Sequence, residues 1–123
     1  MNNFHGEFSS ADASGLSEPN SRFTLYGARS AAALTLNAGD VVTITSLSVS
    51  SAGTNLTISV YEGADATVDA GEVVFKGVIP TNSTQSKVFA GHECQKGSYP
   101  KVKASGSGQV DVVIHGLIER QGA

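Results

Sequence analysis

From Phe23 onward the chain is a succession of short β-branched runs interrupted by turn residues every 8 to 15 positions. No window of 11 or more residues sustains a 3.6-residue apolar repeat, so no segment favours an amphipathic helix. The clearest run, residues 56–61, alternates Leu56, Ile58 and Val60 with Thr57, Ser59 and Tyr61. Successive strand side chains point to opposite faces, so this pattern predicts one apolar face and one wet face. Residues 41–49 form a longer run whose inward set starts as Val42 and Ile44 but continues as Leu47 and Val49. That change of parity predicts a bulge near Thr45 and Ser46, where one extra residue re-aims the strand. Weaker runs over 23–29 and 32–36, with 72–79, 87–92, 98–104 and 109–118, complete the set. The expected fold is all-β: a single β-sandwich or barrel of about eight antiparallel strands spanning residues 23–123.

Composition refines this reading. Gly, Ala, Ser and Thr supply 53 of the 123 residues, while aromatics are 7% and charged residues 15%. Serine and threonine keep an outer sheet face polar without long side chains, and threonine favours the pleat. Residues 1–22 stand apart: they are rich in Asn, Ser, Gly, Asp and Glu, with isolated Phe4, Phe8 and Leu16 and no sustained period. A segment of that composition does not offset its own ordering entropy by burial. It is expected to be a flexible N-terminal arm that orders on a partner, with Phe4, Phe8 and Leu16 as apolar anchors. A net charge of −3 and pI near 5.5 give no electrostatic footprint for nucleic acid. No apolar stretch approaches the roughly 20 residues of a membrane helix. The start of the chain lacks a basic segment followed by an apolar one, and Cys94 is the single cysteine. Both features lead us to expect synthesis in a reducing cytoplasm without a disulfide framework.

The chemistry-bearing residues do not assemble in sequence. His5, His92 and His115 are far apart, and no His-x-His or His-Glu-x-x-His occurs. In His92-Glu93-Cys94 the strand period lets His92 and Cys94 converge on one face while Glu93 points away. Two ligands do not make a zinc site, so no metal is expected there. Asp65, Asp69 and Glu72 sit in an acidic stretch that lacks EF-hand spacing and reads as a solvated loop. Lys96, Lys101 and Lys103 beside Tyr99 read as an edge-protecting, solvated basic face. Ser105-Gly106-Ser107-Gly108 reads as a hairpin turn, since it has neither nucleophile-elbow spacing nor a following helix. The chain is therefore expected to be non-enzymatic, with no catalytic residues and no cofactor.

The last run is the most informative. Val110, Val112, Ile114 and Ile118 form one apolar face, while Val113 and Leu117 make the opposite face apolar as well, with His115 between them. Either this strand is covered on both sides within the chain, or Val113, His115 and Leu117 meet another subunit. Small sandwich domains often gain burial by symmetric association, which favours the subunit contact.

The run Ala33-Leu34-Thr35-Leu36-Asn37-Ala38-Gly39-Asp40-Val41-Val42-Thr43-Ile44 resembles an opening strand pair of compact viral jelly rolls. The closing run Gly106-Ser107-Gly108-Gln109-Val110-Asp111-Val112-Val113-Ile114-His115-Gly116 does so too. Together with the polar arm, residues 23–120 resemble the small capsid decoration (cement) proteins of tailed bacteriophages. The resemblance implies that the β-sandwich is a jelly roll, and that the chain is a virion structural protein, commonly a homotrimer, that binds the major capsid protein on the outside of the shell and bridges its subunits. It carries no catalytic residues over. The alternative expectation is a carbohydrate- or receptor-binding jelly roll of a phage tail or surface assembly, although the chain has no Trp and only Tyr26, Tyr61 and Tyr99.

Overall fold

A computed structural model describes residues 2–10, 16, 22–27, 33–36, 39–52, 55–63, 72–94, 98–106 and 108–119. Among these residues there is no helix. Nine strands run in chain order as β1 (Asn2–Ser10), β2 (Thr24–Gly27), β3 (Ala33–Leu34), β4 (Val41–Ala52), β5 (Leu56–Gly63), β6 (Glu72–Ile79), β7 (Ser83–Glu93), β8 (Tyr99–Ala104) and β9 (Gln109–Glu119). They form a six-stranded sheet, β3-β2-β1-β9-β4-β7, and a three-stranded sheet, β6-β5-β8. Every strand pairing is antiparallel.

The pairings are nested. β1 pairs with β9, Arg22 bridges to Lys101 in β8, β4 pairs with β7, and β5 pairs with β6. This is the wrap of one long antiparallel hairpin into two facing sheets, the jelly-roll arrangement. Arg22 and Phe23 lie along the free edge of β8, where the Phe23 amide donates to the Pro100 carbonyl at 3.4 Å. The chain then crosses to the large sheet as β2, so this corner segment closes one side of the sandwich.

Alternation decides which residues enter the core. Leu56, Ile58 and Val60 of β5 face Val42, Ile44, Leu47 and Val49 of β4 and Val110, Val112, Ile114 and Ile118 of β9 in one continuous apolar cluster. The expected bulge is present: the register of β4 shifts between Ile44 and Ser46 against both neighbours. Its extra residue lets Ile44 and Leu47 point inward although three positions separate them. On β7 the same irregularity places several residues opposite Thr45, and Gly91 takes a φ of 126° there. That φ suits glycine and is strained for other L-residues.

The N-terminal segment corrects the sequence reading. Residues 2–10 are a strand inside the large sheet, paired over nine positions with β9 and over four with β2. Phe4 and Phe8 are buried core residues, and the partly buried Leu16 packs against the same cluster. None of the three is a free anchor for a partner. The sandwich therefore includes Asn2–Ser10 and is not confined to residues from Phe23 onward; residues 11–15 and 17–21 lie outside the described residues. The physical reason is a concealed alternation. Phe4, Gly6 and Phe8 face inward while Asn3, Glu7 and Ser9 are exposed. Gly6 breaks the apolar pattern because there is no room for a side chain. A Cβ there would lie 2.7 Å from Leu25 Cδ2 and 2.8 Å from Ile114 Cγ1.

Candidate functional site

Three features of the surface and of the seam between the sheets come from this framework. The first is the outer face of the large sheet. β9 alternates strictly, with Val110, Val112, Ile114, Gly116 and Ile118 inward and Val113, His115 and Leu117 outward. Val113 and Leu117 are half-buried and His115 is exposed. No other element of the described chain stacks on this side. Beside this stripe, His5 pairs with His115, and Ser46 and Ser48 pair with His115 and Val113. The His5 ring stacks on Tyr26 at 4.9 Å with an interplanar angle of 19°. His115 lies 6.4 Å from His5, tilted by 38°. At one end the Gln109 amide donates to Asp111 Oδ1 at 3.2 Å and to Ser9 Oγ at 3.1 Å, and Ser9 Oγ also donates to that carboxylate. The face is thus a narrow apolar stripe with a ring cluster on one flank and hydroxyls on the other.

The second feature is a groove of about 380 Å³ on the outer face of the small sheet, lined by Thr57, Ser59, Tyr61, Lys76, Lys103 and Ser105, with Ala104. Ser59 sits between Lys76 and Lys103 in one cross-strand row, so two ammonium groups flank a hydroxyl floor. The expected basic face is corrected at Lys101, which is fully buried. Arg22 lies along its strand, and the Arg22 guanidinium carbon sits 3.8 Å from the Tyr99 ring centroid, with Nη2 donating to the Tyr99 hydroxyl at 2.7 Å. The segment that closes the sandwich thereby covers what the sequence left as an open edge. Lys103 is half-buried; Lys96, Asp65 and Asp69 lie outside the described residues, and the backbone of Glu72 opens β6.

The third feature lies at the seam between the sheets. His92 and Cys94 converge as the strand period predicts, with Glu93 exposed. The Cys94 amide donates to the Val42 carbonyl at 2.8 Å, which continues the β4–β7 ladder past β7 and fixes the backbone. The residue missed in sequence is Glu62. It continues the inward parity of Ile58 and Val60 on β5 and is 3% exposed. A carboxylate in phase with a buried apolar face was the available signal, since such a group needs a partner. Its partner is His92, whose Nε2 lies 3.0 Å from Glu62 Oε2. One ligand atom from each of Glu62, His92 and Cys94 falls within 4.8 Å of the others. Glu62 and Cys94 are buried, while the His92 side chain is 23% exposed.

Among the described residues no helix is long and apolar enough to cross a membrane. Compared with known proteins, the chain matches no family model, no curated protein and no solved structure.

Proposed function

We propose that this is a non-enzymatic structural protein of a phage virion that binds the outer capsid surface, contacts the major capsid protein and bridges its subunits as a homotrimer. The observation that carries the reading is the outward stripe Val113–His115–Leu117 in the middle of a six-stranded sheet. The four long strands β1, β9, β4 and β7, each of nine residues or more, span three spacings of about 4.8 Å and give a face of roughly 14 by 30 Å. That is on the order of 400 Å², about half of the roughly 800 Å² per partner of a standard stable interface. Val113, His115 and Leu117 are the subunit contact in this reading. The resemblance to decoration proteins supplies the capsid as partner. The binding surface is the rigid sandwich itself, since Phe4 and Phe8 are committed to its core.

Light scattering on a sizing column tests the oligomer: a trimer has about three times the 12.6 kDa chain mass. Val113→Asp with Leu117→Asp should yield monomers that keep the β circular-dichroism signal. Co-sedimentation with undecorated, expanded phage capsids tests the partner. A wild-type monomer at micromolar concentration overturns the trimer, and failure to sediment with capsids overturns the decoration role. The alternative, a carbohydrate- or receptor-binding module, draws on the groove between Lys76 and Lys103, whose hydroxyl floor and flanking cations suit an acidic sugar. Specific signal on a glycan array that is lost in Lys76→Ala and Lys103→Ala would favour it.

A further inference from the structure

We infer that Glu62, His92 and Cys94 form a metal site for a divalent transition ion of the zinc type, which clasps the two sheets together at their seam. The inference is independent of the capsid reading. Its first support is the donor set. A thiol, an imidazole and a carboxylate, one ligand atom from each, lie within 4.8 Å of one another. Nitrogen and sulfur donors select zinc-like ions, whereas calcium and magnesium prefer all-oxygen shells.

The second support is distance. With Zn–N and Zn–O near 2.0–2.1 Å and Zn–S near 2.3 Å, the edges of a tetrahedron are about 3.3 Å between N and O and about 3.6 Å to S. The His92 Nε2 to Glu62 Oε2 separation of 3.0 Å is already within about 0.3 Å of its edge. The widest separation allowed by the 4.8 Å limit closes by about 1.2 Å, a movement that side-chain rotation supplies with the backbone in place.

The third support is how the donors are held. Glu62 comes from the small sheet, and His92 and Cys94 come from the edge of the large one. His92 pairs with the inward Ile44 just after the irregularity at Gly91, and the Cys94–Val42 hydrogen bond holds the last donor. An ion would cross-link segments 30 residues apart in sequence where the pairing ladders do not reach. Cys94 would bind as thiolate and release its proton to solvent. Access is from the side of the partly exposed His92.

The test is titration of the full chain with Co²⁺ in a non-chelating reductant, followed by displacement with Zn²⁺. One equivalent should give the thiolate-to-cobalt charge-transfer band and the visible bands of a tetrahedral site, and excess Zn²⁺ should remove both. Cys94→Ser should lose the charge-transfer band. Glu62→Gln and His92→Gln should weaken binding by at least the roughly tenfold that even outer-sphere partners cost. Zn²⁺ should raise the melting temperature of the wild type and leave that of His92→Gln unmoved. His92 is partly exposed, so this last variant keeps the test valid if the two buried substitutions fail to fold. No charge-transfer band at one equivalent, an undiminished band in Cys94→Ser, or unchanged affinity in His92→Gln would each overturn the site.

Discussion

Replacing Phe4 with alanine separates a docked N-terminal strand from a loose arm. Phe4 is 3% exposed, and its cross-strand neighbours are Gly27 in β2 and Gly116 in β9. Neither glycine has a side chain to move into the space the ring would leave. The ring also lies over Gly116, where an added Cβ would come within 2.7 Å of Phe4 Cε1. Truncation of a buried phenylalanine costs about 3–5 kcal/mol, more where the surroundings collapse least. Two glycine neighbours place Phe4→Ala in the upper half of that range.

Against a total stability of about 5–15 kcal/mol, this is about a quarter or more of what holds the domain folded. For a chain of this length it lowers Tm by roughly 10–20 °C. In urea, with a slope of about 1–3 kcal/mol/M, the midpoint falls by at least about 1 M. The chain has no Trp, so far-ultraviolet circular dichroism is the suitable probe. Asn3→Ala, an exposed site on the same strand, is the control and should stay within about 0.5 kcal/mol. A loss below about 1 kcal/mol for Phe4→Ala, together with lost partner binding, would refute the docked strand and restore the arm.

Other sites follow the same logic. Gly6→Ala forces Leu25 and Ile114 to shift and should cost about 1–3 kcal/mol by overpacking, read as a lower urea midpoint. Gly91→Ala meets only an ordinary contact, Thr43 Cγ2 at 3.7 Å, but has a φ of 126°, so it should cost about 1–3 kcal/mol of backbone strain and also weaken Co²⁺ binding by displacing the adjacent His92. Val88 is 83% exposed on the edge strand β7; Val88→Lys should leave stability within about 0.5 kcal/mol and slow aggregation measured by light scattering.

The features legible in sequence are those governed by local alternation. The parity change in β4 predicts a bulge, which is present, and the period of β5 predicts its inward set; its expected wet face is corrected, since Ser59 and Tyr61 are buried beneath the lysine-flanked groove and only Thr57 is half-buried. β1 was concealed because its inward middle position had to be glycine, which carries no hydrophobic signal. Lys101 was unreadable for another reason. Its strand has the alternation of an open edge, and the non-local bridge from Arg22, which runs along that edge, is not visible in local pattern. Glu62 was half-readable: its parity marks it as inward, but the identity of its partner depends on the wrap that brings β5 against the end of β7.

That wrap also explains why a carboxylate survives at the seam, and it provides a way to separate two roles of His92. Three strands cover six, so the inner side of β7 is only partly roofed: Gln85 and Lys87, opposite the inward Val49 and Leu47, are exposed. Glu62 lies under the last covered part of this boundary, and His92 marks where cover ends. A buried carboxylate that loses a hydrogen-bond donor costs about 1–3 kcal/mol. Glutamine at position 92 retains an amide donor for Glu62 Oε2 but is a poor zinc ligand, whereas leucine supplies neither. If His92 serves only to satisfy Glu62, His92→Gln should match the wild type in urea melts with and without Zn²⁺, and only His92→Leu should lose stability. If the cluster is a metal site, His92→Gln should equal the wild type only in chelator, and fall behind it once Zn²⁺ is added. A His92→Gln protein that gains as much from Zn²⁺ as the wild type would reduce the cluster to a buried hydrogen bond.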